Sequence, residues 1–556
     1  MSNDRKRVEV LAQKLQKHVQ SFPIKLIFPA NVFGIKADTD SFGETPTSTP
    51  ESTPHQQGSK NLRTSKDFIN FRLLETDIDF VSDEATPMSK VTESLQHFVA
   101  DLEKTGCYES VQVVLGRPKD HPSKSDSLQL DVTLQEKNWY KLYVGGGIKQ
   151  DNTSAISSSG MMPKVQFETS ASLINLTGDT DVTQLEYTLD QTSTPSFTMQ
   201  HTRPLYSLLK GDLSASILNM DHGSKIGATL KATVDTNDSY EHIRSSKDHL
   251  QKIGVKISNS TSGSSSSGHG PGNDDIYTGL EWSLTHRDVI PRRHISSPFQ
   301  YDASPETIAA AGPSLKHSVS ADYRLNGYLT DDRFNPTAGI DSYGGFELAG
   351  PPGDVGFVKL WGGASAHIPI VPELDEEEKK IAGFFGQLLN GLSFHTAINV
   401  GVMKGLSFGG LCLGSGSTHV SDRFYVGGSH QLRGFLPSGI GPRAAVGGAS
   451  SPGGDSMGGD VFYTASALLS MPFPGNDTLS KNGVRLFGFA NAGTLTSFEN
   501  AMNLGSFVNS SRTAVGGGVS YGTAMGRLEA TYAVPLRYGP TDARRSAQAG
   551  IGFTFG

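Results

Sequence analysis

The sequence predicts a mainly β chain: a sixteen-stranded antiparallel transmembrane β-barrel preceded by one small α+β domain. Three observations carry that expectation. From Trp139 onward apolar and polar residues alternate in segment after segment, with no helical domain between them. Glycine stands at 63 of 556 residues, about 11% against a usual ~7%. No stretch offers the roughly 20 consecutive apolar residues of a membrane helix; the nearest, Gly391 to Gly414, is broken by His395, Asn399 and Lys404. A closed barrel hides its apolar face in alternation, so low average hydropathy does not exclude a membrane.

Charge and cysteine content remove several classes. Fifty-six acidic and 48 basic residues leave a net charge of −8, with 19% of positions charged and 36% hydrophobic. A basic nucleic-acid binder and a highly charged disordered chain are excluded. Cysteine occurs twice, at Cys107 and Cys412, too few for a disulfide scaffold or a cysteine-ligated zinc cluster.

Residues 1–21 place Val8, Leu11, Leu15 and Val19 at helical spacing with Lys14 and Lys17 between them. This is either an organelle-targeting helix or a surface helix, and Asp4 and Glu9 favour the latter. They contain no apolar core of a secretory signal, so export by that route is not expected.

Residues 22–136 read as the small domain, with a flexible insertion at 43–60 rich in Thr, Ser, Pro and Gln. A strand at Ile24 to Phe28 is followed by a helix with Thr64 as candidate N-cap, Asp67 three positions on, and Phe68, Phe71 and Leu74 on one side. A second helix has Thr86 before Pro87 at the first helical position, an apolar face of Val91, Leu95, Phe98, Val99 and Leu102, and a stop at Gly106. Strands then alternate through Val111, Val113 and Leu115, and through Leu128, Leu130, Val132 and Leu134.

Residues 137–556 read as the barrel. Val165, Phe167, Ala171 and Leu173 alternate with polar neighbours, as do Val319, Ala321, Tyr323 and Leu325, and Leu528, Ala530, Tyr532 and Val534. A soluble sandwich alternates too. The number of such segments, with Gly, Ser and carboxylates on their polar faces, favours a membrane barrel. Seventeen candidates can be marked, one of them weak, around Leu250 to Ile257 or Lys225 to Lys231. Sixteen strands leave about 26 residues per unit, about ten of them to cross the bilayer. Stretches 258–274, 372–391 and 444–459 read as exposed loops.

The most distinctive run is Asp422-Arg-Phe-Tyr-Val-Gly427-Gly428-Ser-His-Gln431-Leu432-Arg433-Gly434-Phe435, followed by Gly441 and Arg443, with Gly459 and Asp460 leading the next strand. It resembles the long sixth-loop signature of outer-membrane insertases that carry polypeptide-transport-associated (POTRA) domains before a barrel, the bacterial surface antigen family. Phe489-Ala-Asn491-Ala-Gly493, Arg527-Leu-Glu529 and Pro535 follow in the family's order. Within that superfamily the chain is similar to the barrel subunit of the mitochondrial sorting and assembly machinery, the SAM complex. The similarity covers nearly the whole chain and makes residues 22–136 POTRA-like.

The resemblance implies that the loop, about 422–459, folds into the barrel lumen, with Arg433 held against the wall at the position occupied here by Asn491. Many bacterial relatives have a carboxylate there, and a neutral amide makes a weaker contact. Taken alone, Arg433 would read as an ordinary arginine on an exposed hairpin. The closing segment places Gln548, Gly550, Phe553 and Phe555 in the pattern of the β-signal by which mitochondrial barrel precursors are recognised. Gly145, Gly146 and Gly147 in the first barrel strand either weaken a lateral gate against the last strand or permit a bend.

No His-Glu-x-x-His or phosphate-binding loop is present, so no enzyme activity, metal or cofactor is expected. The expected function is insertion of β-barrel precursors into the mitochondrial outer membrane. The expected partners are those precursors, other SAM complex subunits and lipid, with the small domain in the intermembrane space. The alternatives are a passive outer-membrane channel and a plastid-envelope member of the superfamily.

Overall fold

A computed structural model describes residues 23–35, 62–74, 86–116, 127–149, 164–190, 195–204, 227–238, 245–258, 276–294, 297–325, 336–371, 389–408, 418–429, 431–444, 454–474, 479–480, 482–523 and 526–553. The N-terminal helical segment, the insertion at 43–60, His430 and Phe555 lie outside the described residues.

The first unit orders β1 (Pro23–Ile35), α1 (Lys66–Leu74), β2 (Thr86–Pro87), α2 (Met88–Lys104), β3 (Tyr108–Gly116) and β4 (Ser127–Glu136). Its sheet runs β2-β1-β4-β3, with β1 parallel to β4 and the other pairs antiparallel. Helix α2 buries Val91, Leu95, Phe98 and Leu102 against Val111, Leu130, Val132 and Leu134 of the sheet. Its start differs from the sequence reading: Pro87 is the N-cap rather than the first helical residue, because Thr86 is engaged as a β-partner of Ile24. Gly106, at φ 73°, ends the helix just beyond the Thr105 cap. Helix α1 buries Ile69 and Leu73 beside Phe68; the side chains of Phe71 and Leu74 lie outside the described residues. Cys107 is buried in this core, and that burial pushes its thiol pKa up to about 11.

Thr64 does not cap α1; its hydroxyl donates to Glu136 Oε1 at 2.6 Å. Glu136 also binds Arg63 Nε at 3.1 Å, while Arg63 Nη1 donates to the Ile174 carbonyl at 2.8 Å and Asn175 Nδ2 donates to Thr64 Oγ1 at 2.8 Å. The small unit is thus tied by buried and partly buried polar bonds to the hairpin at 174–182. Burial would raise the Glu136 pKa, but the hydrogen bonds from Thr64 and Arg63, with the charge of Arg63, bring it below its ordinary value.

The second unit is one sheet of sixteen strands. They are β5 (Tyr140–Lys149), β6 (Lys164–Ile174), β7 (Val182–Asp190), β8 (Pro195–Pro204), β9 (Gly227–Asp238), β10 (Ser246–Ser258), β11 (Ile276–Pro291), β14 (Gly312–Leu325), β15 (Gly339–Gly350), β16 (Phe357–Pro369), β17 (Ser393–Gly405), β18 (Val461–Pro472), β19 (Val484–Thr496), β20 (Arg512–Thr523), β21 (Gly526–Arg537) and β22 (Ala547–Phe553). Each pairs antiparallel with its neighbours, and β5 and β22 are the two edges. A short ribbon of β12 (Arg293–His294) and β13 (Ser297–Tyr301) and helix α3 (Pro305–Ala309) interrupt the run after β11. Helices α4 (Phe498–Ala501) and α5 (Leu504–Asn509) interrupt it after β19. Both segments offered for the weak candidate strand, β9 and β10, belong to the sheet. No helix among the described residues is long and apolar enough to cross a membrane.

The burial pattern is inverted relative to a water-soluble protein. In β21 the apolar Tyr532 is 63% exposed whereas Glu529, on the opposite face, is 4% exposed. Leu360, Ile398 and Val400 are exposed, and Ser283, Ser318 and Thr464 are buried. A sheet with apolar residues outside and polar residues inside suits hydrocarbon as its outer solvent.

Candidate functional site

The long segment between β17 and β18 folds onto the polar face of the sheet. Its Asp422 binds Arg287 of β11 at 2.7 Å and Lys316 of β14 at 3.3 Å, and its carbonyl accepts from Lys359 of β16 at 2.6 Å. Its other end reaches β19, β21 and β22 through the contacts below. For one segment to touch strands so far apart in the order, the sheet has to curl around it.

The tip is Gln431 to Phe435. Leu432 and Phe435 are fully buried with Val426, Ile440, Leu495 and Ala514, while Gln431 is exposed. Gly434 has φ +92°, and a Cβ there would lie 3.1 Å from Ala514 Cβ and 3.4 Å from Ala533 Cβ. Glycine meets both the left-handed turn and the tight approach to the wall. Gly441, at φ +104°, is similarly pressed against Leu495.

Arg433 makes a two-pronged ion pair with Glu529, Nε to Oε1 at 2.6 Å and Nη2 to Oε2 at 3.1 Å. Its guanidinium also lies 5.6 and 5.1 Å from the ring centres of Phe487 and Phe489. This corrects the sequence expectation that Asn491 holds the side chain. Asn491 instead donates Nδ2 to the Arg433 carbonyl at 3.2 Å, and its Oδ1 has no hydrogen-bond partner among the described residues. A neutral amide cannot neutralise a secluded guanidinium, whereas a carboxylate matches both its charge and its fork.

The tip is also bound to the last strand. Gln548 accepts from the Gly434 N–H at 3.0 Å and donates to the Phe435 carbonyl at 2.6 Å. The Arg545 N–H donates to the Gly434 carbonyl at 3.0 Å, and the Leu436 N–H to the Ala543 carbonyl at 2.9 Å. Gly550 and Phe553 pair with Glu529 and Gly526 along β22. Gly145, Gly146 and Gly147 pair with Glu168, Phe167 and Gln166 of β6. Among the described residues β5 and β22 are not paired with each other.

Flanking residues fasten the rest of the segment. Phe424 pairs with Gly459, and Val426 with Ile440. Gly428 donates its N–H to Phe435, and Arg443 donates to the carbonyls of Gly454 at 2.8 Å and Ser438 at 3.2 Å. Asp460 accepts from Thr418 at 2.6 Å. Gly427 sits where a Cβ would collide with the Leu436 carbonyl. Burial would raise the Asp422 pKa, but Lys316 and Arg287 bring it below its ordinary value.

Sequence reasoning missed several anchors. Asp455 accepts from Ser245 Oγ and Ser304 Oγ, each at 2.7 Å, and from Thr307 Oγ1 at 2.9 Å. Arg287, Lys316 and Lys359 carried no motif. Glu529 did carry a signal: a carboxylate on the polar face between Leu528 and Ala530 needs a cationic partner if that face is enclosed. Among the described residues no group of three His, Cys, Asp or Glu could hold a metal ion.

Residues 124–555 match the model of the Omp85 superfamily domain. The chain is 25% identical over 480 residues to a SAM50-like protein of Schizosaccharomyces pombe, covering 83% of this chain and 82% of that protein. It is 29% identical over 170 residues to the sorting assembly machinery 50 kDa subunit of Saccharomyces cerevisiae, covering 30% of this chain and 32% of that one. Among solved structures, BamA from Haemophilus ducreyi lacking POTRA domains 1–3 superposes with a TM-score of 0.60 at 17% identity, over 95% of this chain and 85% of that one. This structural likeness concerns the fold alone.

Proposed function

This chain belongs to the Omp85 superfamily, and from that premise we propose that it inserts β-barrel precursors into the mitochondrial outer membrane as the barrel subunit of a SAM complex. A lone strand in lipid has unpaired amides and carbonyls, each costing several kcal/mol, so it cannot enter alone. An insertase lends it backbone partners. The lending edge is β5, exposed when the seam between β5 and β22 opens sideways, and the C-terminal signal of the client pairs with it. The glycines at 145–147 weaken that seam.

The observation that carries this reading is the docked loop tip. Arg433 is bound to Glu529, and the Gly434–Phe435 backbone is bound to Gln548 on the edge strand β22. A plain channel has no need of a loop fastened to the edge strand of its sheet. The residues 422, 427, 428, 431–435, 441, 443, 459 and 460 act together as that fastening, without covalent chemistry or a cofactor.

Residues 22–136 form the POTRA-like domain and face the intermembrane space, where they guide or release clients, and residues 137–556 form the barrel. Gln548, Gly550, Phe553 and Phe555 make the chain a client of its own machinery. Depletion in cells followed by import of a labelled porin tests the function. Arrest of the porin at the assembly stage supports it, and normal assembly with altered metabolite permeability overturns it in favour of a channel. Deleting residues 1–136 should slow client assembly while leaving the barrel in the membrane.

A further inference from the structure

The outward face of the wall carries a feature that the docked loop does not explain. Helices α4 and α5, between β19 and β20, pack against the outside of the sheet. Positions beneath and beside them point away from the loop-filled side. In the register, Val400 of β17 faces Tyr463 of β18, which faces Thr494 of β19. Their sequence neighbours Phe462 and Leu495 pack on the loop instead. Lys404 lies on the same outward side, since its neighbour Met403 is buried with Phe357 and the loop residue Phe424.

Of these, Tyr463, Thr494 and Lys404 meet the helical segment, whereas Val400 is exposed. The Phe507 ring lies 5.6 Å from that of Tyr463. The Thr494 hydroxyl donates to the Ser510 carbonyl at 3.2 Å, and the Lys404 ammonium lies 5.3 Å from the Phe498 ring. In and between the helices Met502, Leu504 and Val508 are 75%, 73% and 56% exposed. Across residues 498–511 the single charged side chain is Glu499.

We propose that α4 and α5 form a bilayer anchor, with Met502, Leu504 and Val508 seated in the leaflet at the loop-bearing end of the barrel. The patch continues the exposed apolar surface of Val400 and Val402 on the same face. A near-neutral segment with exposed apolar residues enters the headgroup–acyl boundary, typically by about 5–10 Å. Lys404 runs its stem along the apolar surface and keeps its charge at the interface.

The inference rests on the membrane-spanning reading of the wall, and the test separates the two. In full-length protein carrying Cys107→Ser and Cys412→Ser, single cysteines at Leu504, at Tyr532 on the wall and at Glu306 in exposed α3 are labelled with an environment-sensitive fluorophore. The protein is reconstituted in phosphatidylcholine vesicles. The Tyr532→Cys label reports barrel insertion independently of the anchor. The Leu504→Cys label is expected to be quenched by lipid carrying a nitroxide high on the acyl chain, and several-fold less by aqueous iodide than the Glu306→Cys label. Iodide quenching at Leu504→Cys equal to that at Glu306→Cys, with Tyr532→Cys in lipid, overturns the anchor while leaving the barrel intact. Shielding of Leu504→Cys that requires added outer-membrane proteins overturns it too, in favour of a protein partner.

Discussion

Removing the Glu529 carboxylate should release the loop tip, and removing the Asn491 amide should not. The Glu529 side chain is 2% exposed and that of Arg433 11%, so the ion pair is screened little by solvent. Deleting one member of a buried pair strands the other and costs about 3–5 kcal/mol. The contacts of Arg433 with Phe487 and Phe489 do not offset this, because they are present with or without Glu529. Asn491→Ala removes one hydrogen bond to a backbone carbonyl, worth about 0.5–1.5 kcal/mol. The two variants should therefore differ by more than about tenfold in the ratio of docked to undocked loop, given 1.4 kcal/mol per factor of ten. Amide hydrogen exchange across 424–440 reads that ratio. Glu529→Ala should lose most of the protection there, Glu529→Gln less, and Asn491→Ala little, with strand content unchanged in all three. Equal or greater loss in Asn491→Ala would refute the assignment of the partner.

Gly434→Ala forces a left-handed residue against Ala514 and Ala533, at about 1–2 kcal/mol for the backbone and about 1–3 kcal/mol for overpacking; exchange at the tip should rise and client assembly slow. Gln548→Leu leaves the Gly434 N–H without its partner, at about 1–3 kcal/mol, and removes one of the two donors to the Phe435 carbonyl, which keeps the Gly428 N–H; it should impair assembly of the chain itself, read as the yield of heat-modifiable barrel on a detergent gel. The Asp422 pKa is depressed in the folded chain from an ordinary 3.8. Its contribution to docking is therefore present above about pH 3.8 and is lost as pH falls through the lower folded value. Protection of 418–424 should hold at pH 5 and fall below pH 3.8, and Asp422→Asn should flatten that dependence.

Much of the fold was legible because both periodicities are strong. The helical repeat from Val91 to Leu102 marked α2, and strict alternation marked strands such as β21 and β14. The exact start of α2 was not legible: Thr86 is a good cap by type, but its pairing with Ile24 is a tertiary choice that overrides local preference. Thr64 likewise reads as a cap, yet Glu136, 72 positions away, takes its hydroxyl. At the site, the tip was visible as a motif and its glycine as a turn. The partner was not, because register across β19, β20 and β21 decides which polar side chain meets the guanidinium. Arg287, Lys316 and Asp455 were invisible for the same reason: each is an ordinary charged residue until the sheet curls around the loop.

The central claim is that clients enter through a seam between β5 and β22. It is tested by a reversible disulfide between one cysteine placed at 141–145 and another at 547–551, in protein lacking Cys107 and Cys412. Porin assembly should stop in the oxidised protein and resume on reduction. Assembly at the unlocked rate, with the cross-link verified in all molecules, would contradict the account.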